Sequence, residues 1–220
     1  MQLRLAIGNK NYSSWSMRPW VLLTQAGIAF EEIQLKFADD GSVRDVERWS
    51  PTGKVPVLWV DDEPVWESLA IFETVAELFP QKRLWPEHAS ARRHARAVCA
   101  EMHAGFGALR GHMTMNIRAS HPDKGRTPEV LRDIERICAL WATCRARHGD
   151  GGEMLFGAFS CADAMFAPVA MRFATYAVPL PTAAQAYCDA LRRLPAVQRW
   201  IEGALAETEF VPADEPYARA

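Results

Sequence analysis

Residues 1–80 read as a small α/β unit and residues 89–220 as an all-helical domain, and three observations carry that division. Short β-rich runs alternate with helical patterns only in the first 80 residues. The segment Pro80-Gln81-Lys82-Arg83-Leu84-Trp85-Pro86, with two prolines and several polar residues, then interrupts the pattern and suits a linker at 81–88. Beyond it strand signals vanish, and Ala, Arg, Leu and Met dominate.

In chain order, strand-like runs fall at Leu3–Ile7, Glu31–Gln34, Val57–Val60 and residues 64–66. Between the first two, residues 17–26 are helical by composition and Gly27 stops them. Asp61-Asp62-Glu63 makes a tight polar hairpin between the last two strands, without the glycine of the commonest turns. Residues 68–79 repeat apolar side chains at Ala70, Ile71, Val75, Leu78 and Phe79, one face of a helix. The order of the first unit is therefore β-α-β, a helix or loop, then β-β-α. Later helices are expected at 89–115, 127–148, 161–176, 183–193 and 196–206, separated by Pro122, the run Gly149-Asp150-Gly151-Gly152, Pro179, Pro181 and Pro195.

At 220 residues and 49% hydrophobic, the chain can fill real cores. A formal charge of −2 leaves no basic field for nucleic acid or anionic lipid, and no apolar run is long enough to span a membrane. The five cysteines are odd in number, scattered, and absent before Cys99, as expected of free thiols in a reducing cytoplasm. The chain opens directly on a strand pattern without an apolar signal core, which fits the same compartment.

Three segments of the first unit have unusual local requirements. In Asn11-Tyr12-Ser13-Ser14-Trp15-Ser16-Met17-Arg18-Pro19, proline suits only the opening turn of a helix, so the helix should begin near Trp15 or Ser16. Ser13, Ser14 and Ser16 then stand beside free backbone N–H groups, either as ordinary caps or as part of an anion site. In Lys54-Val55-Pro56-Val57, Pro56 either simply starts a strand or, through a cis bond, turns the Val55 backbone outward to pair with a peptide-like ligand. Glu67-Ser68 opens a helix, serving as its cap and first-turn charge or holding a ligand's ammonium and carboxylate.

Together, in this order and on this framework, the three segments resemble the glutathione S-transferase family. The resemblance implies a thioredoxin-like βαβαββα domain followed by an all-helical domain. It implies that Ser13 or Ser14 holds the sulfur of glutathione, that Val55 with a cis Pro56 pairs with its cysteinyl backbone, and that Glu67 and Ser68 grip the γ-glutamyl end. Ser160 with Asp163 matches the family's capping box, which also follows from capping chemistry alone. The turn looks most like the serine-dependent branch, above all the zeta class, whose Ser-Ser-Cys is followed by arginine. Trp15 replaces that cysteine, which weighs against zeta-type maleylacetoacetate isomerisation. With no cysteine before Cys99, a mixed disulfide with glutathione in this domain is disfavoured. Tyr12 precedes the serines instead of ending the first strand, which disfavours a tyrosine-type enzyme. Ser14, closer to the helix start, is favoured over Ser13 as the thiol's donor. Arg18 either ties the helix to acids or touches ligand, and Lys54 is either a solvated surface charge or the partner of the glycyl carboxylate.

For the electrophile, Trp15 and a stripe at i, i+4, i+8 and i+11 on the expected helix 89–115, namely Met102, Phe106, Arg110 and Met113, offer either a pocket wall or a core face. His94, His103, His112 and His121 include no i, i+4 pair, and no metal site is expected. The expected function is a serine-type transferase with glutathione as co-substrate and no other cofactor, a hydrophobic electrophilic small molecule as second substrate, and a homodimeric assembly. The alternatives are a glutathione-binding carrier or weak peroxidase, and a zeta-type isomerase.

Overall fold

In the computed structural model, which describes residues 1–218, β1 (Leu3–Ile7) is the spine of a four-stranded mixed sheet ordered β2-β1-β3-β4. β1 pairs in parallel with β2 (Glu31–Gln34), Leu5 opposite Glu32, and antiparallel with β3 (Val57–Val60), Leu5 opposite Leu58. β4 (Glu63–Trp66) closes the sheet as an antiparallel edge, the position where Pro64 is tolerated. The hairpin is tighter than expected because β4 begins at Glu63, and Asp61, at φ 53°, takes the left-handed role usually given to glycine. The undecided connection before β3 holds one short 3₁₀ turn, Val46–Arg48.

The first helix, α1 (Ser14–Gln25), starts earlier than Pro19 suggested. Pro19 is its sixth residue and breaks one turn of the ladder, a cost of about 3 kcal/mol or more. Burial offsets it: Met17, Val21, Leu22 and Leu23 are wholly inaccessible, packed between the sheet and the helical domain. α2 (Ser68–Leu78) completes this half, and a 3₁₀ turn, Pro80–Lys82, leads towards α3 (Ala89–Ala104).

The expected single helix 89–115 is two. Gly105 and Phe106, the latter in the left-handed region at φ 58°, separate α3 from the short α4 (Gly107–His112). α5 (Pro128–His148), α6 (Cys161–Thr175), α7 (Thr182–Arg192) and α8 (Pro195–Ala206) follow within a residue or two of expectation. α6 is apolar on nearly every face and lies at the centre, against both α1 and α3. Its start is a complete capping box: Ser160 Oγ accepts from Ala162 N at 3.3 Å, and Asp163 accepts from Ser160 N at 2.9 Å.

Candidate active site

The site forms where the carboxyl end of β1 hands over to α1. Two adjoining cavities, about 600 and 170 Å³, share Trp15, Lys54 and Val55 in their walls and so make one cleft between the two halves of the molecule. The larger also carries Ser13, Ser14 and Arg110, and the smaller Pro56, Glu67 and Ser68. Nine of the predicted positions thus converge. Met102 and Met113, wholly buried, and Phe106, nearly so, line neither cavity and belong to the core. The break at Gly105-Phe106 explains this, because the stripe presumed one continuous helix.

The serines have different occupations. Ser13 is the N-cap: its Oγ accepts from Ser16 N at 3.4 Å and donates to Ser16 Oγ at 2.7 Å, and Ser16 Oγ in turn accepts from Gly8 N at 3.1 Å. Both capacities of Ser13 are committed. Ser14 Oγ accepts from Arg172 Nη2 at 3.2 Å, and its own O–H has no acceptor among the described residues.

The Val55–Pro56 bond is cis, and the Val55 N–H and C=O have no partner among the turn and loop hydrogen bonds of the described residues. Ser50 Oγ braces the turn, accepting from Lys54 N at 3.1 Å and donating to Lys54 O at 2.6 Å. Glu67 caps α2 at φ 67°, a strained conformation for a non-glycine residue, with its carboxylate 60% exposed and 3.4 Å from His103 Nε2 of α3.

Three guanidinium groups surround Ser14 and Trp15. Arg18 is wholly buried, donating to Ser14 O at 2.9 Å and Met165 O at 3.0 Å, with its guanidinium 4.1 Å from the Trp15 ring. Arg110 lies 5.3 Å from the same ring. Arg172 of α6 donates to Met113 O at 2.7 Å as well as to Ser14. Among the described residues none of the three has a carboxylate within ion-pair distance, and Arg18 Nη2 and Arg172 Nη1 are buried without an acceptor. Burial pushes all three pKa values down, that of Arg172 to about 10, with the neighbouring cations adding to the effect on Arg18 and Arg172. Two of them, Arg110 and Arg172, stand in the wall of the larger cavity and bring positive charge to it, alongside Asp40 and Asp214.

Arg172 and Asp214, both in the wall of that cavity, were not singled out from the sequence. For Arg172 a signal existed: it is the one basic residue in a helix apolar on nearly every face, and such a helix must bury it. Asp214, the last residue of a short 3₁₀ turn (Pro212–Asp214) after α8, had none.

The family models for "Glutathione S-transferase, N-terminal domain" and "Glutathione S-transferase, C-terminal domain" match residues 12–78 and 92–203. Among solved structures, a glutathione transferase homolog from Burkholderia gl BGR1 with bound glutathione is 22% identical with a TM-score of 0.70, covering 94% of this chain and 100% of that one. A diazinon-metabolizing glutathione S-transferase of the silkworm Bombyx mori is 16% identical with a TM-score of 0.73, covering 93% and 98%. A probable maleylacetoacetate isomerase of Caenorhabditis elegans is 30% identical over 97 residues, which are 44% of this chain and 45% of that protein. Two family models covering both halves of the chain, on a fold shared over nearly its whole length, make it a member of the glutathione S-transferase family.

Proposed function

We propose that the protein is a serine-type glutathione transferase, which holds the glutathione thiol as a thiolate and adds it to an electrophilic small molecule. The observation that supports this most is the Ser14 hydroxyl: buried, at the N-terminus of α1, accepting from Arg172 and with no acceptor for its own proton among the described residues. A thiol with a pKa near 8.5 becomes abundant as thiolate at neutral pH once that value falls by about 1–2 units, or about 1.4–2.7 kcal/mol. One charge-assisted hydrogen bond contributes about 1.5–3 kcal/mol, and the unpaired guanidiniums add to it.

In this reading Val55 pairs with the cysteinyl backbone, Lys54 meets the glycyl carboxylate, and Glu67 and Ser68 take the γ-glutamyl ammonium and carboxylate. The bound glutathione of the Burkholderia homolog supports the ligand. Trp15 and Arg110 form the wall against which the electrophile lies. No helix of the described residues is long and apolar enough to cross a membrane, in keeping with a cytoplasmic enzyme, which we take to work as a homodimer. The partial match to a probable maleylacetoacetate isomerase fits zeta-type isomerisation as a second reading.

Titration calorimetry with reduced glutathione, paired with turnover of chlorodinitrobenzene, tests the proposal. Binding in the millimolar range or tighter with turnover is expected, and no heat at millimolar glutathione would refute it. Turnover of maleylacetoacetate in preference to the aryl chloride would select the second reading.

A further inference from the structure

After α8 the chain runs back over the cleft. Glu207 accepts from the backbone of Lys10 and Asn11 at 2.8 and 3.0 Å, and Arg118 donates to the Glu207 and Glu209 carbonyls. Tyr12 Oη donates to Glu215 at 2.7 Å, Ala213 N to Asp39 O at 3.2 Å, and Thr114 Oγ1 to Asp214 O at 3.0 Å. These bonds tie residues 207–215 to both halves of the molecule and bring Ala213 and Asp214 into the wall of the larger cavity.

The Asp214 carboxyl has no hydrogen-bond donor and no ion-pair partner among the described residues. Burial lifts it to about 6, against the pull of Arg172 and with the push of Glu215. Arg110, Arg172 and Asp40 also stand in that wall, and Tyr176, whose hydroxyl is 3.2 Å from Thr114 Oγ1, lies beside it. Arg172 therefore faces two groups: it donates to Ser14 Oγ, and its charge acts on Asp214. An acid held by its backbone with an uncommitted carboxyl, one guanidinium away from the proposed thiolate, is placed for proton transfer.

We infer that Asp214 is a catalytic acid for addition of glutathione to activated alkenes, protonating the carbanion that forms when the thiolate attacks. The inference rests on the glutathione reading and deepens it by giving that addition a proton donor in the tail after α8. In the step, the sulfur lone pair forms the new C–S bond at the β-carbon while the alkene π pair moves to the α-carbon and its carbonyl as an enolate. Asp214 gives its proton to the α-carbon and is left as carboxylate. The proton lost from the thiol on ionisation restores the acid, so thiol plus alkene equals product. Substitution at an aryl chloride expels chloride and needs no such proton.

The test compares 4-phenyl-3-buten-2-one with chlorodinitrobenzene in wild type, Asp214→Asn and Asp214→Glu. The ratio of kcat/KM for the enone to that for the aryl chloride should fall at least tenfold in Asp214→Asn, and Asp214→Glu should recover part of it. A solvent deuterium isotope effect on wild-type kcat, larger for the enone than for the aryl chloride, is the second expected result and does not depend on any variant folding. An unchanged ratio, or equal isotope effects, overturns the inference. A wild type that binds glutathione and substitutes the aryl chloride but ignores the enone overturns it alone, whereas no glutathione binding removes the underlying reading as well.

Discussion

Replacing Ser14 with alanine removes one hydroxyl that is buried at the head of α1 and accepts from Arg172 at 3.2 Å. The proposal assigns that hydroxyl one charge-assisted bond to sulfur, about 1.5–3 kcal/mol, and at about 1.4 kcal/mol per pKa unit its loss raises the bound thiol by about 1–2 units. Arg172 and the free N–H groups of α1 remain, so the thiol stays below its value in water. The assay is kcat/KM for chlorodinitrobenzene against pH. At about pH 5.5, below both midpoints and where thiolate is scarce in both proteins, the variant should be slower by about 10–100-fold, and the difference should close towards about pH 9.5, where glutathione ionises unaided. Glutathione affinity, carried by Lys54, Val55, Glu67 and Ser68, should change less than threefold. A midpoint that does not move in Ser14→Ala, or that moves in Ser13→Ala instead, would refute the reasoning, because the Ser13 hydroxyl is already bonded to Ser16.

Lys54→Ala should raise the KM for glutathione by about 3–10-fold with kcat unchanged, a modest effect because the side chain is exposed; steady-state kinetics at saturating electrophile reads it, and an altered kcat with constant KM counts against the glycyl role. Asp163→Ala strands four donors, from Leu155 N, Ser160 N, Ser160 Oγ and Tyr187 Oη, and removes the α6 cap. It should destabilise by about 3 kcal/mol and lower Tm by about 6–12 °C, with a change under about 2 °C in a thermal melt contradicting the assignment.

The sheet was legible because its strands are short β-rich runs set between helical patterns and turn residues, and β4, with Pro64, is the edge that proline permits. α1 was located but started late: Pro19 argued for a first-turn position, and local sequence cannot weigh the burial of Met17, Val21 and Leu22 that lets the helix absorb the missing bond. The break after α3 was missed for the opposite reason. Gly105-Phe106 carries no proline or polar cluster, and the left-handed conformation that separates the two helices falls on Phe106, a residue that rarely adopts it, rather than on the glycine beside it. In the site, sequence reached the residues that sit in sharp local constraints, at a helix start, a cis-proline turn and a strained cap. Arg172 and Asp214 come from α6 and the tail, 158 residues and more from Ser14, and only folding brings them to it.

The arginines of α1 and α6 have a consequence for recombination between relatives. Arg18 bonds to Met165 O, and Arg172 bonds to Ser14 Oγ, so each half of the protein buries a cation that takes one of its hydrogen bonds from the other half. A chimera joined at the interdomain segment would set one of these buried guanidiniums, one partner short, against a foreign surface, whatever the quality of the parents. Exchange of α1 together with α6 keeps the reciprocal pair intact, which makes these two helices, far apart in the gene, a single unit of inheritance.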